Sequence, residues 1–174
     1  QDSGRKTHRH LGVPISGPMD LNSFYLANLL LPGLESDSVF ECTLIGPKLK
    51  LRCNSRFVIT GAKFDSYLDN QPVENNKVYS FRAGQILKVG RVKVGLRCYL
   101  KFEGTFKIPK ILNSKSFFYP ITKSISINDG EKYEFISKTL DINSKIINLK
   151  ISENAFSKKT LFARPGPDWG LING

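Results

Sequence analysis

Cysteine, acidic residues and long apolar runs are all in short supply in this 174-residue chain, and each shortage closes off a class of protein. The three cysteines, Cys42, Cys53 and Cys98, are odd in number and show no CxxC spacing, which argues against a disulfide framework or a zinc knuckle. Each lies in a strand-like run (FECTL, LKLRC, LRCYL), so they read as small core residues. The longest apolar stretch, 24–34, is interrupted by Asn28 and Pro32 and falls short of the roughly 20 residues that span a bilayer, so no membrane span is expected. A basic region followed by an apolar core and a small-residue cleavage site is missing from the start, which leaves a cytoplasmic location as the default expectation. There is no Walker loop and no repeat of fixed period.

The shortage of acid leaves a net charge of +11, from 26 basic and 15 acidic residues. The basic groups do not form a recognition element. Lys48, Lys50 and Arg52 alternate with Leu49, Leu51 and Cys53, the pattern of a wet strand face over a buried one. Without an aromatic RNA-binding motif, a recognition-helix pattern or a metal finger, no nucleic-acid partner is expected.

What the chain has in abundance is a polar, pivot-rich beginning. Residues 1–20, QDSGRKTHRHLGVPISGPMD, hold both histidines, two arginines, two aspartates and several glycines and prolines. Gly4, Gly12, Pro14, Gly17 and Pro18 rule out a regular helix or a central strand, so the polar groups follow a fixed irregular path of the kind that carries binding and catalytic residues. His8 and His10 lie two apart with no third ligand, and no metal site is expected.

Asp20 then caps one helix, with Leu21, Phe24, Tyr25, Leu29 and Asn28 expected on or beside one face and Pro32-Gly33 stopping it. From residue 39 the period changes to two. Strands are expected at 39–44, 48–52, 57–60, 66–68, 78–81, 86–89 and 95–102, separated by turn signals that include Thr-Gly-Ala and Val-Gly-Arg. Seven short strands and one helix point to a mainly β fold, a closed or nearly closed barrel. Further strands are expected at 124–127, 133–137, 146–151 and 160–163, with a hairpin-type turn at Asp129-Gly130. The organisation expected is a barrel core with its site loop over 1–104, added strands over 105–163, and a linker start over 164–174.

Several spaced motifs now fall in order: Gln1-Asp2-Ser3-Gly4-Arg5, His10-Leu11-Gly12-Val13-Pro14, Ser16-Gly17-Pro18-Met19-Asp20, Ala27-Asn28-Leu29-Leu30, Glu41-Cys42-Thr43-Leu44-Ile45-Gly46-Pro47 and Thr60-Gly61-Ala62. Together they resemble the family of the 5-oxoprolinase C-subunit, also called allophanate hydrolase subunit 2, which is similar to a carboxyltransferase portion of urea carboxylase. The resemblance covers about residues 1–104. It implies two related cyclophilin-like β-barrel halves, of which this chain holds the first; Arg164-Pro165-Gly166-Pro167-Asp168-Trp169 resembles the entry into the second. The alternative is a reduced relative.

The same resemblance implies an ATP-dependent reaction on a stable amide: opening of the 5-oxoproline lactam, or carboxyl transfer from carboxybiotin to a urea-like nitrogen. ATP would be held by a partner subunit, and no cofactor by this chain itself. Such a substrate needs donors for a carboxylate or polarised carbonyl and a proton-handling group near the nitrogen. Arg5 is then the expected anion donor, His10 the proton-handling group and Asp20 or Asp2 the acceptor, with Ser16 and Asn28 orienting the substrate. Each has a structural alternative: Asp20 as a helix cap, Arg5 paired with Asp2 or Glu41 to brace the loop, Asn28 bonded to backbone. Glu41, between Phe40 and Cys42, reads as a buried structural acceptor. Gly61 reads as a barrel-end bulge or a place where a ligand approaches the backbone.

The chain departs from the family pattern at Glu103-Gly104, where paired glycines are usual, and at Asn113-Ser114-Lys115-Ser116-Phe117, where Gly-Ser-Arg-Ser-Thr is usual. Lys115 in place of Arg gives up a planar bidentate fork, and Phe117 gives up a hydroxyl. The reading from another class is a non-catalytic regulatory module that binds a partner protein. Exposed hydrophobic surface is expected on either reading, and it leaves room for self-association.

Overall fold

A computed structural model describes residues 1–32 and 38–137. The expected strands at 146–151 and 160–163 and the segment 164–174 lie outside the described residues. Among the described residues the chain is mainly β with one α-helix. After a 3-10 turn at Arg9–Leu11, helix α1 spans Leu21–Leu30. The strands are β1 Phe40–Thr43, β2 Lys48–Lys50, β3 Ser55–Leu68, β4 Gln71–Pro72, β5 Tyr79–Phe81, β6 Ile86–Phe102, β7 Gly104–Phe106 and β8 Phe135–Ser137.

Two pairs of expected strands fuse into long ones. The runs at 57–60 and 66–68 are parts of β3, and those at 86–89 and 95–102 are parts of β6. Thr60-Gly61-Ala62 and Val89-Gly90-Arg91 are therefore not turns. The β3–β6 ladder instead shifts register between Gly61 and Lys63, again to Phe64, and again to Ser66. Extra residues at such bulges bend a strand and raise its twist without ending it. The stretch at 124–127 forms bends rather than a strand, and Asp129-Gly130 lies in a turn that joins no hairpin.

The main sheet runs β1-β6-β3-β4, with β2 also on β6 and β5 also on β3. Among the described residues its hydrogen bonds leave the ring open, with β1 at one end and β4 at the other. Closure comes from packing. One face gathers Phe57, Ile59, Phe81, Leu87, Leu100 and Phe102 into the larger core. Phe102 lies at its centre, with ring centroids of Phe40, Phe57, Phe106 and Phe135 all 6.1 Å away or closer. The opposite face carries Val58 and Tyr99 under α1. Because both faces of β3 are covered, its middle reads as a continuous buried run rather than an alternation.

Asp20 caps α1, its Oδ1 accepting from the Ser23 N–H at 3.0 Å and its Oδ2 from the Ser23 hydroxyl at 2.5 Å. The buried face differs from the expected one: Ser23, Phe24, Ala27 and Leu30 face the sheet, while Leu21, Tyr25 and Leu29 are exposed. The helix is apolar nearly all round, so periodicity cannot select a face. The sheet selects it. At Gly61, with φ +85°, a Cβ would stand 2.7 Å from the Arg97 carbonyl and 3.3 Å from the Ser23 side chain, so a glycine there lets the helix start approach. The Thr60 hydroxyl donates to the Ser23 carbonyl at 2.6 Å across that contact.

Cys42 and Cys98 are buried directly opposite each other in β1 and β6, as free thiols; Cys53 is half-buried and outside the core cluster. No helix among the described residues is long and apolar enough to cross a membrane.

Candidate active site loop and groove

Two polar anchors hold the 1–20 loop. The first is Asp2, 7% exposed. Its Oδ1 accepts from the Gly4 N–H (3.0 Å) and the hydroxyls of Ser114 (2.6 Å) and Ser116 (2.8 Å), and its Oδ2 from the Lys115 N–H (2.6 Å). The Asp2 N–H in turn donates to the Ser116 hydroxyl at 2.9 Å. Burial pushes this carboxyl's pKa up, but the donors from Ser114, Lys115, Gly4 and Ser116 together outweigh it and hold the group below its ordinary value.

Arg5 extends the same anchor. It is 1% exposed, its Nη2 donates to the Ser116 carbonyl at 2.7 Å, and its backbone N–H donates to the Ile15 carbonyl at 2.7 Å. Burial lowers its pKa and the nearby Asp2 charge pushes back. Its Nε and Nη1 have no hydrogen-bond partner among the described residues.

The second anchor joins the loop's end to the sheet. Glu41 on β1 accepts through Oε2 from the Met19 N–H and the Tyr99 hydroxyl, both at 2.9 Å, and its Oε1 lies 3.7 Å from Arg97 Nε. The Tyr99 hydroxyl accepts from the Asp20 N–H at 2.7 Å. Burial, with the neighbouring carboxylates of Glu41 and Asp20, pushes the Tyr99 pKa up, so the phenol stays a proton donor.

Between these anchors the expected site residues separate. Asp2 and Arg5 are buried together beneath the Ser114–Ser116 segment. His10 is exposed on the 3-10 turn, Ser16 is half-buried with φ +55° and donates to the Pro14 carbonyl at 3.0 Å, and Asp20 is half-buried at the helix start. Asn28 donates to the Phe24 carbonyl of its own helix at 3.0 Å. Gly61 sits at the bulge facing Ser23.

Glu41 and Lys115 both line a groove of about 620 Å³ between β1–β2 and the 115–131 segment. Lys115 Nζ donates to the Phe106 carbonyl at 2.9 Å, and Phe117 lines the same groove. Sequence reasoning gave no role to Ser114, Ser116 or Tyr99. The Ser-x-Ser spacing was the available signal for the first two; Tyr99 is indistinguishable from any core aromatic in a strand.

The loop is thus clamped at both ends on an open, bulged sheet. The model for the family "Carboxyltransferase domain, subdomain A and B" matches residues 11–132, and the chain belongs to that family. Among its relatives, the 5-oxoprolinase C-subunit of Haemophilus influenzae is 39% identical over 116 residues, 67% of this chain and 38% of that protein. Urea amidolyase of Lachancea kluyveri is 36% identical over 115 residues, 66% of this chain and 6% of the relative. The crystal structure of the Kluyveromyces lactis urea carboxylase superposes with a TM-score of 0.64 at 37% identity, over 67% of this chain and 10% of that one. The chain thus spans well under half the length of each. Beyond residue 104, β7 pairs with β8, and Ser114 and Ser116 bond to Asp2.

Proposed function

We propose that this chain is a subunit or domain of an ATP-dependent enzyme acting on a stable amide, either opening 5-oxoproline to glutamate or transferring a carboxyl group in urea or allophanate chemistry. The observation that carries the reading is the double clamp on residues 1–20, which fixes a glycine- and proline-rich loop while leaving His10 exposed and Ser16 and Asp20 half-buried. Preorganised polar groups on a rigid scaffold are what amide activation requires, since stabilisation of developing charge is strongest where the groups need not move. His10 handles the proton, Asp20 accepts from the amide side and Ser16 orients the substrate. Asp2 and Arg5 position the loop, and Arg5 is the donor for an anion. Asn28 contributes through its helix.

ATP is bound by a partner subunit in this reading. In the carboxyltransferase form, carboxybiotin arrives as a carried substrate that supplies the carboxyl group. Arg5 is the residue that would hold the carboxylate through its unpartnered Nε and Nη1, and because these atoms are buried the loop would have to part from Ser116 to admit it.

The test uses the chain assembled with its partner subunits, assayed for ATP-dependent glutamate formation from 5-oxoproline and, separately, for carboxylation of urea. His10→Ala and Asp20→Asn should each lower kcat by about 100-fold or more while the chain stays folded. Undiminished turnover in both variants overturns the site, and no turnover of either substrate by the unaltered assembly overturns the reaction class. One observation favours a second reading, a regulatory protein-binding module: Met19, Leu21, Tyr25 and Leu29 are all exposed on or beside α1. Binding of a small carboxylate or amide at His10 separates the two, since a regulatory module ignores such ligands.

A further inference from the structure

Arg97 on β6 is a cation that the fold positions without satisfying. We infer that Arg97 is a carboxylate-binding residue of the candidate site, and that the amide it serves carries a carboxylate in the same molecule, as 5-oxoproline and allophanate do and urea does not. The inference rests on the amide-acting reading above and narrows its substrate class.

The bulge in the sheet places this side chain. The β3–β6 pairing passes from Gly61 opposite Cys98 to Lys63 opposite Val94, so Arg97 lies within the shifted stretch, and its carbonyl is the atom that Gly61 approaches. Bulges re-aim side chains, and sheets use them beside active sites. Toward β1, Arg97 stands directly opposite Thr43, which is exposed. Alternation puts Arg97 on the same sheet face as Tyr99, with Glu41 opposite Tyr99. That is the face covered by α1 and reached by the end of the 1–20 loop.

Glu41 holds the guanidinium by charge and not by a hydrogen bond. Its Oε1 is 3.7 Å from Arg97 Nε, beyond hydrogen-bonding distance, while its Oε2 is taken by the Met19 N–H and the Tyr99 hydroxyl. Arg97 Nε is buried without a partner. The two Nη atoms make no hydrogen bond among the described residues and, in a side chain 28% exposed, are open to solvent. Arg56 shows how this chain builds a structural arginine: its Nε and Nη2 both donate to the Glu103 carboxylate, at 2.7 and 2.5 Å. Arg97 has no such closure. A planar fork with its outer N–H groups free and its inner end fixed is the group that takes a carboxylate bidentately. Arg5 admits a carboxylate only if the loop opens, whereas Arg97 needs no movement. From Glu41 the contacts run through the Tyr99 hydroxyl to the Asp20 N–H, so Arg97 and the residue proposed to accept from the amide share one support.

The test is calorimetric titration of the intact protein, with its partner subunits, by 5-oxoproline and by 2-pyrrolidinone, the same lactam without the carboxylate. 5-Oxoproline is expected to bind about tenfold or more tightly than 2-pyrrolidinone. Arg97→Gln should erase that difference by weakening 5-oxoproline alone, and Arg97→Lys, which keeps the charge and loses the fork, should recover part of it. Equal affinity for the two lactams, or binding of neither, overturns the inference. So does a variant that weakens both lactams alike, which makes Arg97 a structural residue. The site and the reaction class fail separately. Binding of 5-oxoproline through Arg97 without turnover keeps this site and overturns the reaction class; turnover of 5-oxoproline that Arg97→Gln leaves unchanged overturns this site and keeps the reaction class.

Discussion

Asp2 is a carboxylate whose whole acceptor capacity is spent on one short segment more than a hundred residues away in sequence and on the Gly4 N–H beside it. Asp2→Asn cannot accept all four bonds, and it should cost about 2–3 kcal/mol in urea denaturation, the range for hydrogen bonds to a buried charged group. The sign of its pH dependence follows from the depressed pKa. Between the folded and unfolded values the unfolded chain binds more protons, so Asp2 stabilises the fold fully above its ordinary value of 3.8 and loses that contribution as pH falls through the lower folded value. The melting temperature should fall with acid over that window, and Asp2→Asn should flatten the fall; equal slopes in both proteins count against the anchor. Tyr99→Phe removes one hydroxyl that accepts from Asp20 and donates to Glu41, and about 1–2 kcal/mol of stability should go with it. Faster hydrogen exchange at Met19 and Asp20 in that variant identifies the loop end as what the hydroxyl holds.

Among the elements, α1 and the bulged pair β3–β6 decide how the loop meets the sheet. The cap at Asp20 and the stop near Pro32 follow from local chemistry, because a carboxylate before a helix satisfies an orphan N–H and proline cannot continue the ladder. The orientation of α1 rests on Gly61. Gly61→Ala should destabilise by about 2–4 kcal/mol, since it combines a positive φ with a backbone clash against Arg97. Gly84→Ala is the control, with φ +90° and open space around its Cβ, and should cost about 1 kcal/mol. Equal losses in the two variants would mean that the helix does not depend on that approach. The bulge at Gly61 was legible in the sequence, but Gly61 and Gly90 also resemble turn glycines; long-range pairing of β3 with β6 keeps both inside strands.

At the scale of the whole molecule, the core is closed by aromatic packing around Phe102, while an apolar line remains outside on α1. Leu21, Tyr25 and Leu29 there should drive concentration-dependent self-association, read as a rising weight-average mass in sedimentation. Leu21→Lys with Leu29→Lys should return the chain to monomer without lowering its melting temperature, because neither side chain packs in either core. A constant monomer mass in the unaltered chain argues against that surface.

The sequence by itself determined the class, the mainly β character, the helix and its cap, and the family, because these rest on local capping, alternation and ordered motifs within one stretch of chain. It also marked residues 1–20 as a fixed polar loop, since glycine and proline exclude regular structure there. Only the tertiary structure decided that Asp2 and Arg5 lie under Ser114 to Ser116, that Tyr99 ties Glu41 to Asp20, which face of α1 is buried, and that the strand ladders stay open among the described residues. Those outcomes depend on contacts between residues far apart in the chain, and no local pattern encodes which distant partner a buried carboxylate, hydroxyl or apolar face will meet.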